Sequence, residues 1–217
     1  MKKLGLLLFP LLAITLMLGG TAFAQGDSSV YFVTYYSNAH TTGAPDATVR
    51  IINDGDLSTS PTRCGVPGTP PCGGDIYADI YVFDDSQELQ ECCSCDVSAD
   101  GLLSESVNLN LTANTLTGKV LTRGVIKVIS DPGGYPYDPT PGAGLRAWST
   151  HIQATSVVFA AGKAPSEKSP FYVTETEMAD SNLVTDELER LGALCSFDVT
   201  LGSGQGVCSC NNEDYEF

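Results

Sequence analysis

Positive charge and histidine are scarce in this chain. Its 217 residues include 11 Lys and Arg against 26 Asp and Glu, with only 2 His, so the formal net charge is −15. A surface this acidic repels nucleic acid and anionic lipid, and it favours solubility or cation binding. We therefore expect no nucleic-acid partner.

Long apolar runs are missing except at the beginning of the chain. Residues 1–24 combine two lysines, an apolar centre and the ending Ala-Phe-Ala, which predicts a Sec-type signal peptide cleaved before Gln25. The apolar centre is short for a membrane span, which needs about 20 residues. We expect no stable membrane anchor after cleavage. The protein should be secreted, extracellular or periplasmic, as in bacterial export, with residues 25–217 as a single domain.

Catalytic signatures are missing as well. There is no Gly-x-Ser-x-Gly motif, and neither His40 nor His151 lies in a recognisable catalytic context. The stretch "GSGQG" at 202–206 lacks the Lys-Ser/Thr of a phosphate loop and predicts a tight hairpin turn. "NDGD" at 53–56 lacks the spacing and the final glutamate of a calcium loop. We expect no cofactor, with calcium as the alternative.

Cysteine, in contrast, is abundant. An even set in an exported chain predicts disulfides. Zinc sites usually show Cys-x2-Cys spacing, and a redox thiolate needs nearby positive charge, whereas "ECCSC" at 91–95 has close spacing and acidic flanks. Cys64 and Cys72 flank a proline-rich loop that they can close. The eight cysteines are Cys64, Cys72, Cys92, Cys93, Cys95, Cys195, Cys208 and Cys210.

The alternation of side chains along a strand predicts how the other six cysteines pair. Cys93 and Cys95 point to one face of their strand, and Cys92 points to the opposite face. The second Cys-x-Cys, at 208–210, can pair with the first across neighbouring strands. This arrangement leaves Cys92 to reach Cys195 at the end of a helix.

The remaining sequence predicts many short strands with turn signals between them. The clearest is a hairpin whose polar turn lies at 84–87. A short helix is predicted over Thr185–Cys195, with Thr185 as N-cap. The fold class is therefore an all-β, disulfide-stapled antiparallel β-sandwich, immunoglobulin-like or jelly-roll-like, with one short helix. Further strands are predicted at 28–37, 47–54, 103–112, 119–130 (broken by Gly124), 145–161, 169–178, and on both sides of the 202–206 turn.

The first strand of the mature chain is a candidate for assembly. It is β-branched and aromatic on both faces, so it lies either in the core sheet or against another subunit. The residues of this possible assembly strand are Val30, Tyr31, Phe32, Val33, Tyr35 and Tyr36.

A long loop at 131–144 is a candidate for binding. Tyr135 and Tyr137, with Trp148 further along, offer aromatic faces, and Asp138 offers a hydrogen-bonding group. Such a set can stack on a sugar or on a protein partner. The alternative is that these aromatic rings pack the loop onto the sandwich.

These features together favour a non-enzymatic extracellular protein with a structural, adhesive or self-assembly role. Its partner would be itself, another extracellular protein or a glycan. The alternative is a carbohydrate- or protein-binding module that uses the region from Tyr135 to Trp148. A carboxylate-dependent hydrolase is the third hypothesis, because acids are abundant but no pair of defined separation can be identified.

Overall fold

The computed structural model describes residues 30–55, 74–154 and 170–211, and the predicted signal peptide and Cys64–Cys72 loop lie outside these ranges. Within them, the chain forms nine strands, one π-helical turn and one α-helix. The strands are β1 Tyr31–Ser37, β2 Thr48–Asn53, β3 Ile76–Asp84, β4 Leu89–Val97, β5 Leu102–Ser106, β6 Arg123–Asp131, β7 Leu145–Ala154, β8 Phe171–Glu177 and β9 Ala179–Asp180. The π-helical turn is Val107–Leu111, and helix α1 is Thr185–Thr200.

The strands form two antiparallel sheets. One has five strands in the order β4-β3-β6-β1-β9, and the other has four in the order β5-β2-β7-β8. The predicted hairpin is present as β3 and β4, which pair from Ile76 with Val97 to Phe83 with Leu89. The sequence-based fold class, a disulfide-stapled antiparallel β-sandwich with one helix, is confirmed.

Side-chain alternation on β3 separates two apolar layers. Ile80 and Val82 are buried in the large core between the sheets, together with Ile51 of β2 and Leu103 of β5. Tyr81 points the opposite way and belongs to a second, smaller cluster. A sheet that is apolar on both faces has to be covered on both, because exposed apolar area costs about 25 cal/mol per Å².

Helix α1 covers the outer face of the five-stranded sheet. Its Leu191 and Cys195 are buried against Tyr81 and Ile129 on the outer face of the five-stranded sheet. The molecule therefore has three layers: helix, sheet and sheet. No helix in the described ranges is both long enough and apolar enough to cross a membrane.

The predicted helix was too short, and its cap was misplaced. Val184 is the N-cap and makes no side-chain cap bond, so Thr185 already lies in the helix. The helix continues to Thr200, where a strand was predicted after Cys195. Buried Asp198 follows Cys195 at helical spacing, and the N–H of Leu201 donates to the C=O of Phe197 at 3.1 Å. Packing against the sheet thus overrides the β propensity of this segment.

Two other strand predictions also need correction. The strand predicted over 103–112 ends at Ser106, because the Ser106 hydroxyl accepts the N–H of Leu109 at 2.8 Å and starts a helical turn. Gly124 does not break a strand but lies inside β6, which begins only at Arg123. A Cβ there would collide with the carbonyl oxygen of Phe83 and the hydroxyl of Tyr36. Glycine therefore marks a close approach at this position.

Residues 201–211, the described part of the chain after α1, form no strand, which corrects the hairpin predicted around 202–206. Val207 makes a single bridge, parallel to Cys92. The N–H of Cys92 donates to the C=O of Gly206 at 2.9 Å, and the N–H of Cys208 donates to the C=O of Cys92 at 3.3 Å. This irregular segment thus follows the outer edge of β4 for a short distance.

Candidate functional site

The cysteines of β4 are joined to the C-terminal part of the chain by three disulfides. The pairs are Cys92–Cys195, Cys93–Cys208 and Cys95–Cys210, with Cα–Cα distances of 5.9, 5.2 and 5.6 Å. Side-chain alternation on β4 predicted that Cys92 bonds to Cys195 and that the two Cys-x-Cys motifs bond to each other, and the structure adds which cysteines pair. Cys92 faces the helix, whereas Cys93 and Cys95 face the large core. The disulfides therefore hold both layers to the same strand.

A cluster of sulfurs is the one group with metal-ligand spacing among the described residues. The Sγ atoms of Cys93, Cys95 and Cys210 lie within 4.8 Å of one another. Each of them is already in a disulfide, and thiolates are the form that binds metals. In this oxidised state the cluster is a structural element of the core.

The candidate binding loop presents its aromatic rings to solvent. Tyr135 is 53% exposed and Tyr137 is 41% exposed, and their ring centroids lie 5.7 Å apart. Asp138 is exposed beside them, and its N–H donates to the C=O of Tyr135 at 2.8 Å. Pro136 between the two rings is buried. The two tyrosines thus form a pair on the surface of the loop.

Hydrogen bonds from below fix this loop. The Asp131 carboxylate accepts the backbone N–H groups of Gly133, Gly134 and Tyr135 at 2.6, 3.1 and 3.3 Å. From β3, the Tyr81 hydroxyl donates to the C=O of Pro136 at 2.7 Å. The loop is therefore held in one shape by side chains of the five-stranded sheet, and this lowers the entropic cost of binding a partner.

Asp79 lies buried beneath the same loop, next to Asp131. The Ser94 hydroxyl donates to Asp79 Oδ1 at 2.6 Å, whereas Asp79 Oδ2 has no donor among the described residues. Burial and, to a smaller extent, the nearby charge of Asp131 raise the pKa of Asp79 well above its usual range. Burial therefore favours the protonated, uncharged form of Asp79 under the loop.

Trp148 does not join this site. It lies on β7 of the four-stranded sheet, directly opposite Arg50 of β2 and Glu177 of β8, and is half-buried. Alternation along β7 turns Ala147 and Ser149 towards the interior and Trp148 away from it. Tyr135 lies in the loop that follows β6 of the five-stranded sheet, so Trp148 on β7 belongs to a different sheet from the one that supports this loop.

No match was found when the chain was compared with protein-family models, curated proteins and solved structures.

The two histidines have different surroundings: His151 is buried, whereas His40 is exposed. His151 Nε2 lies 2.9 Å from Thr176 Oγ1 and 3.3 Å from Ser149 Oγ, and its ring stacks on Tyr35 at 4.2 Å. Burial lowers the pKa of His151, and Ser149 is only 2% exposed, so this Ser-His contact is closed to substrate. His40 Nε2 contacts Thr112 Oγ1 at 2.8 Å.

Several carboxyls are buried, although the sequence suggested a solvated acidic surface. Burial raises the pKa of Glu91 to about 8, that of Glu105 to about 7 and that of Asp198 to about 6. One oxygen of each has no hydrogen-bond partner among the described residues. Because these three carboxyls are buried, they offer no acid pair to a glycoside.

Asn53 of the "NDGD" turn uses its amide nitrogen to donate to the C=O of Val97 at 2.9 Å.

The possible assembly strand is paired inside its own sheet. β1 pairs with β6 along its full length, from Tyr31 to Ser37, and with β9 at Phe32 and Val33. Tyr31, Phe32 and Tyr36 are buried, whereas Tyr35 is exposed. This strand therefore contributes to the core; β6 pairs with its whole length on one side, and β9 pairs with two of its residues on the other.

The exposed strand is β8, which the sequence analysis did not single out. It pairs with β7 on one side and ends the order of the four-stranded sheet on the other. Tyr172 and Val173 are 46% and 52% exposed, and every residue from Tyr172 to Glu177 is exposed. The sequence does indicate this exposure, because Tyr and Thr alternate with Val and Glu along the strand. Neither face of the strand therefore carries the apolar stripe of a buried strand.

The outer edges of β4 and β5 are partly bonded among the described residues. On β4, the C=O of Gln90 accepts the N–H of Leu116 at 2.8 Å, and Cys92 is bonded on this side as already described. On β5, the C=O of Ser104 accepts a bond from the side chain of Asn211 at 2.5 Å. β9 is only two residues long. An exposed edge is a ready template for another strand, and proteins usually cover or shorten it.

Proposed function

We propose that this is a non-enzymatic extracellular protein with a structural or adhesive role, which self-assembles by adding a strand at the free edge of β8. The edge of β8 carries this proposal, because no described residue bonds to its outer side from Tyr172 to Glu177, whereas β4 and β5 accept bonds at their edges and β9 is only two residues long. Strand addition supplies main-chain hydrogen bonds without requiring a pocket. The three disulfides support an oxidising compartment, where such bonds persist.

A proline substitution on β8 gives a selective test. The N–H of Met178 donates to the C=O of Ala147 at 2.8 Å, one position beyond the β7–β8 register. Hydrogen-bonded residues alternate along antiparallel strands, so Thr176, Thr174 and Tyr172 bond to β7 and Val173 points its N–H outwards. Val173→Pro thus removes an outward donor and keeps the bonds to β7.

We expect the wild-type protein to form oligomers as its concentration rises, measured by multi-angle light scattering and electron microscopy. Val173→Pro should lower the association constant by roughly tenfold, since two intermolecular hydrogen bonds are lost in each pair of copies. Val173→Ala, which keeps the N–H, is the matched control, and thermal melts verify that both variants fold. A wild-type protein that stays monomeric at every concentration contradicts the proposal.

A second candidate function is binding of carbohydrate or protein at the loop of Tyr135 and Tyr137. The support is a rigid loop whose two rings are exposed side by side. In a glycan array, the double substitution Tyr135→Ala, Tyr137→Ala should abolish binding, whereas Trp148→Ala on the other sheet should leave it unchanged. Absence of binding by the wild-type protein removes the carbohydrate version of this hypothesis.

A further inference from the structure

The free edge of β8 has a defined set of backbone groups available for pairing. With the alternation given above, Val173, Glu175 and Glu177 direct their N–H and C=O groups away from β7. None of these groups bonds to another strand among the described residues. A partner strand must therefore place its own hydrogen-bonding residues opposite these three.

We infer that the partner is a second copy of β8, paired antiparallel about a two-fold axis at Thr174. This inference rests on the proposed self-assembly and specifies its geometry. A two-fold dimer uses the same surface on both subunits, so the strand has to be compatible with itself. The two four-stranded sheets would then form one continuous eight-stranded sheet.

The charges on β8 select this register. Since odd-numbered residues must face odd-numbered residues, the axis has to pass through a residue. An axis at Glu175 would place two glutamates directly opposite each other, which is destabilising. An axis at Thr174 instead sets Val173 against Glu175 of the partner and Tyr172 against Thr176. An axis at Val173 also avoids facing glutamates but pairs a shorter part of the free edge.

The ion pair of Glu175 reduces the remaining repulsion across the axis. Glu175 contacts Arg50 of β2 within its own subunit, so each glutamate brings a compensating charge. The two Glu175 side chains would lie diagonally across the strand pair, at about 7 Å. The formal charge of the whole chain is −15, which opposes dimerisation at longer range. Dimerisation should therefore strengthen as added salt screens this repulsion.

Cysteine cross-linking tests the register directly. At an axis through Thr174 the two copies of this residue form a non-hydrogen-bonded pair, with Cα atoms about 4.5 Å apart, which suits a disulfide. Under mild oxidation, Thr174→Cys should give a covalent dimer with a 174–174 bond, identified by peptide mapping. Thr176→Cys is the matched control, because its counterpart lies four residues further along and should not cross-link.

The outcomes separate the inference from the proposed function. Covalent dimers from Thr174→Cys alone support the register. If light scattering shows association but Thr176→Cys cross-links, or neither variant does, self-assembly stands and the register is wrong. If the wild-type protein is monomeric and neither variant cross-links, both the proposed function and this pairing are rejected. Peptide mapping also verifies that the three native disulfides are intact in each variant.

Discussion

Replacing Glu91 with glutamine should make the stability of this protein less sensitive to pH. Glu91 is fully buried on β4, where its Oε1 accepts the N–H of Asn114 at 2.8 Å and its Oε2 has no partner among the described residues. Burial raises the pKa of Glu91 from an ordinary value of 4.5 to about 8. Glutamine keeps the bond from Asn114 and cannot ionise.

The sign and size of the effect follow from proton linkage. Between pH 4.5 and 8, the folded protein keeps a proton on Glu91 that the unfolded chain releases. Its stabilising contribution is complete below pH 4.5 and is lost as the pH rises through 8. At 1.36 kcal/mol for each pH unit, the full loss is about 5 kcal/mol. This is an upper limit, because local opening lets water reach the charge.

Urea unfolding at intervals between pH 4 and 9 measures this effect. The free energies of unfolding of wild type and Glu91→Gln should be similar near pH 4 and diverge above it in favour of the variant. Glu88→Gln, which removes an exposed acid of the same hairpin, is the control and should follow the wild-type curve. Parallel curves for wild type and Glu91→Gln would refute the reasoning.

Three further predictions concern the disulfides and the loop. Replacing Cys92 and Cys195 with alanine should lower the free energy of unfolding by about 3 kcal/mol. With the Cys93–Cys208 bond intact, the Cys92–Cys195 bond closes a ring of about 15 residues. An unchanged urea midpoint contradicts this prediction. Tyr81→Phe should cost about 1 kcal/mol in the same assay by removing the hydroxyl that holds the loop, and full stability would show that the bond contributes nothing. Because burial raises the pKa of Asp79, its negative charge beside Asp131 develops only as the pH rises above the usual range of a carboxyl. The loop should then loosen, so hydrogen exchange at amides 133–135 should accelerate beyond the intrinsic rate as the pH rises. Asp79→Asn should abolish that extra acceleration, and equal profiles would argue against ionisation of Asp79 as its cause.

The features that the sequence predicted are those set by local alternation. The β3–β4 hairpin was predictable because a polar turn separates two apolar strands. The pairing of Cys92, Cys93 and Cys95 was predictable because adjacent residues of a strand face opposite sides. In both cases the spacing of a few residues was enough to determine the geometry.

The features that could not be predicted from the sequence depend on contacts between distant segments of the chain. Ser196 to Thr200 is helical because the helix packs on a sheet built from earlier strands, which no local pattern reveals. Glycine is needed at position 124 inside β6 because Tyr36 of β1 and Phe83 of β3 approach it closely from the two neighbouring strands. Trp148 is not part of the loop site because the chain passes from the five-stranded to the four-stranded sheet between Tyr135 and Trp148. Such outcomes require the topology, which propensity and periodicity do not supply.

The disulfide arrangement has a consequence for the order in which the chain can fold. A chain made from its N-terminus presents Cys92, Cys93 and Cys95 when their partners, 103 to 115 residues further on, are not yet made. Three thiols then wait close together; in the folded protein the sulfurs of Cys93 and Cys95 are only 3.9 Å apart. Wrong pairing within this group is the first reaction open to them, and thiol–disulfide exchange has to reverse it. The native bonds of Cys93 and Cys95 can close only after Cys208 and Cys210 have been made, so the two sheets and the segment after α1 must all be present before these bonds lock the fold.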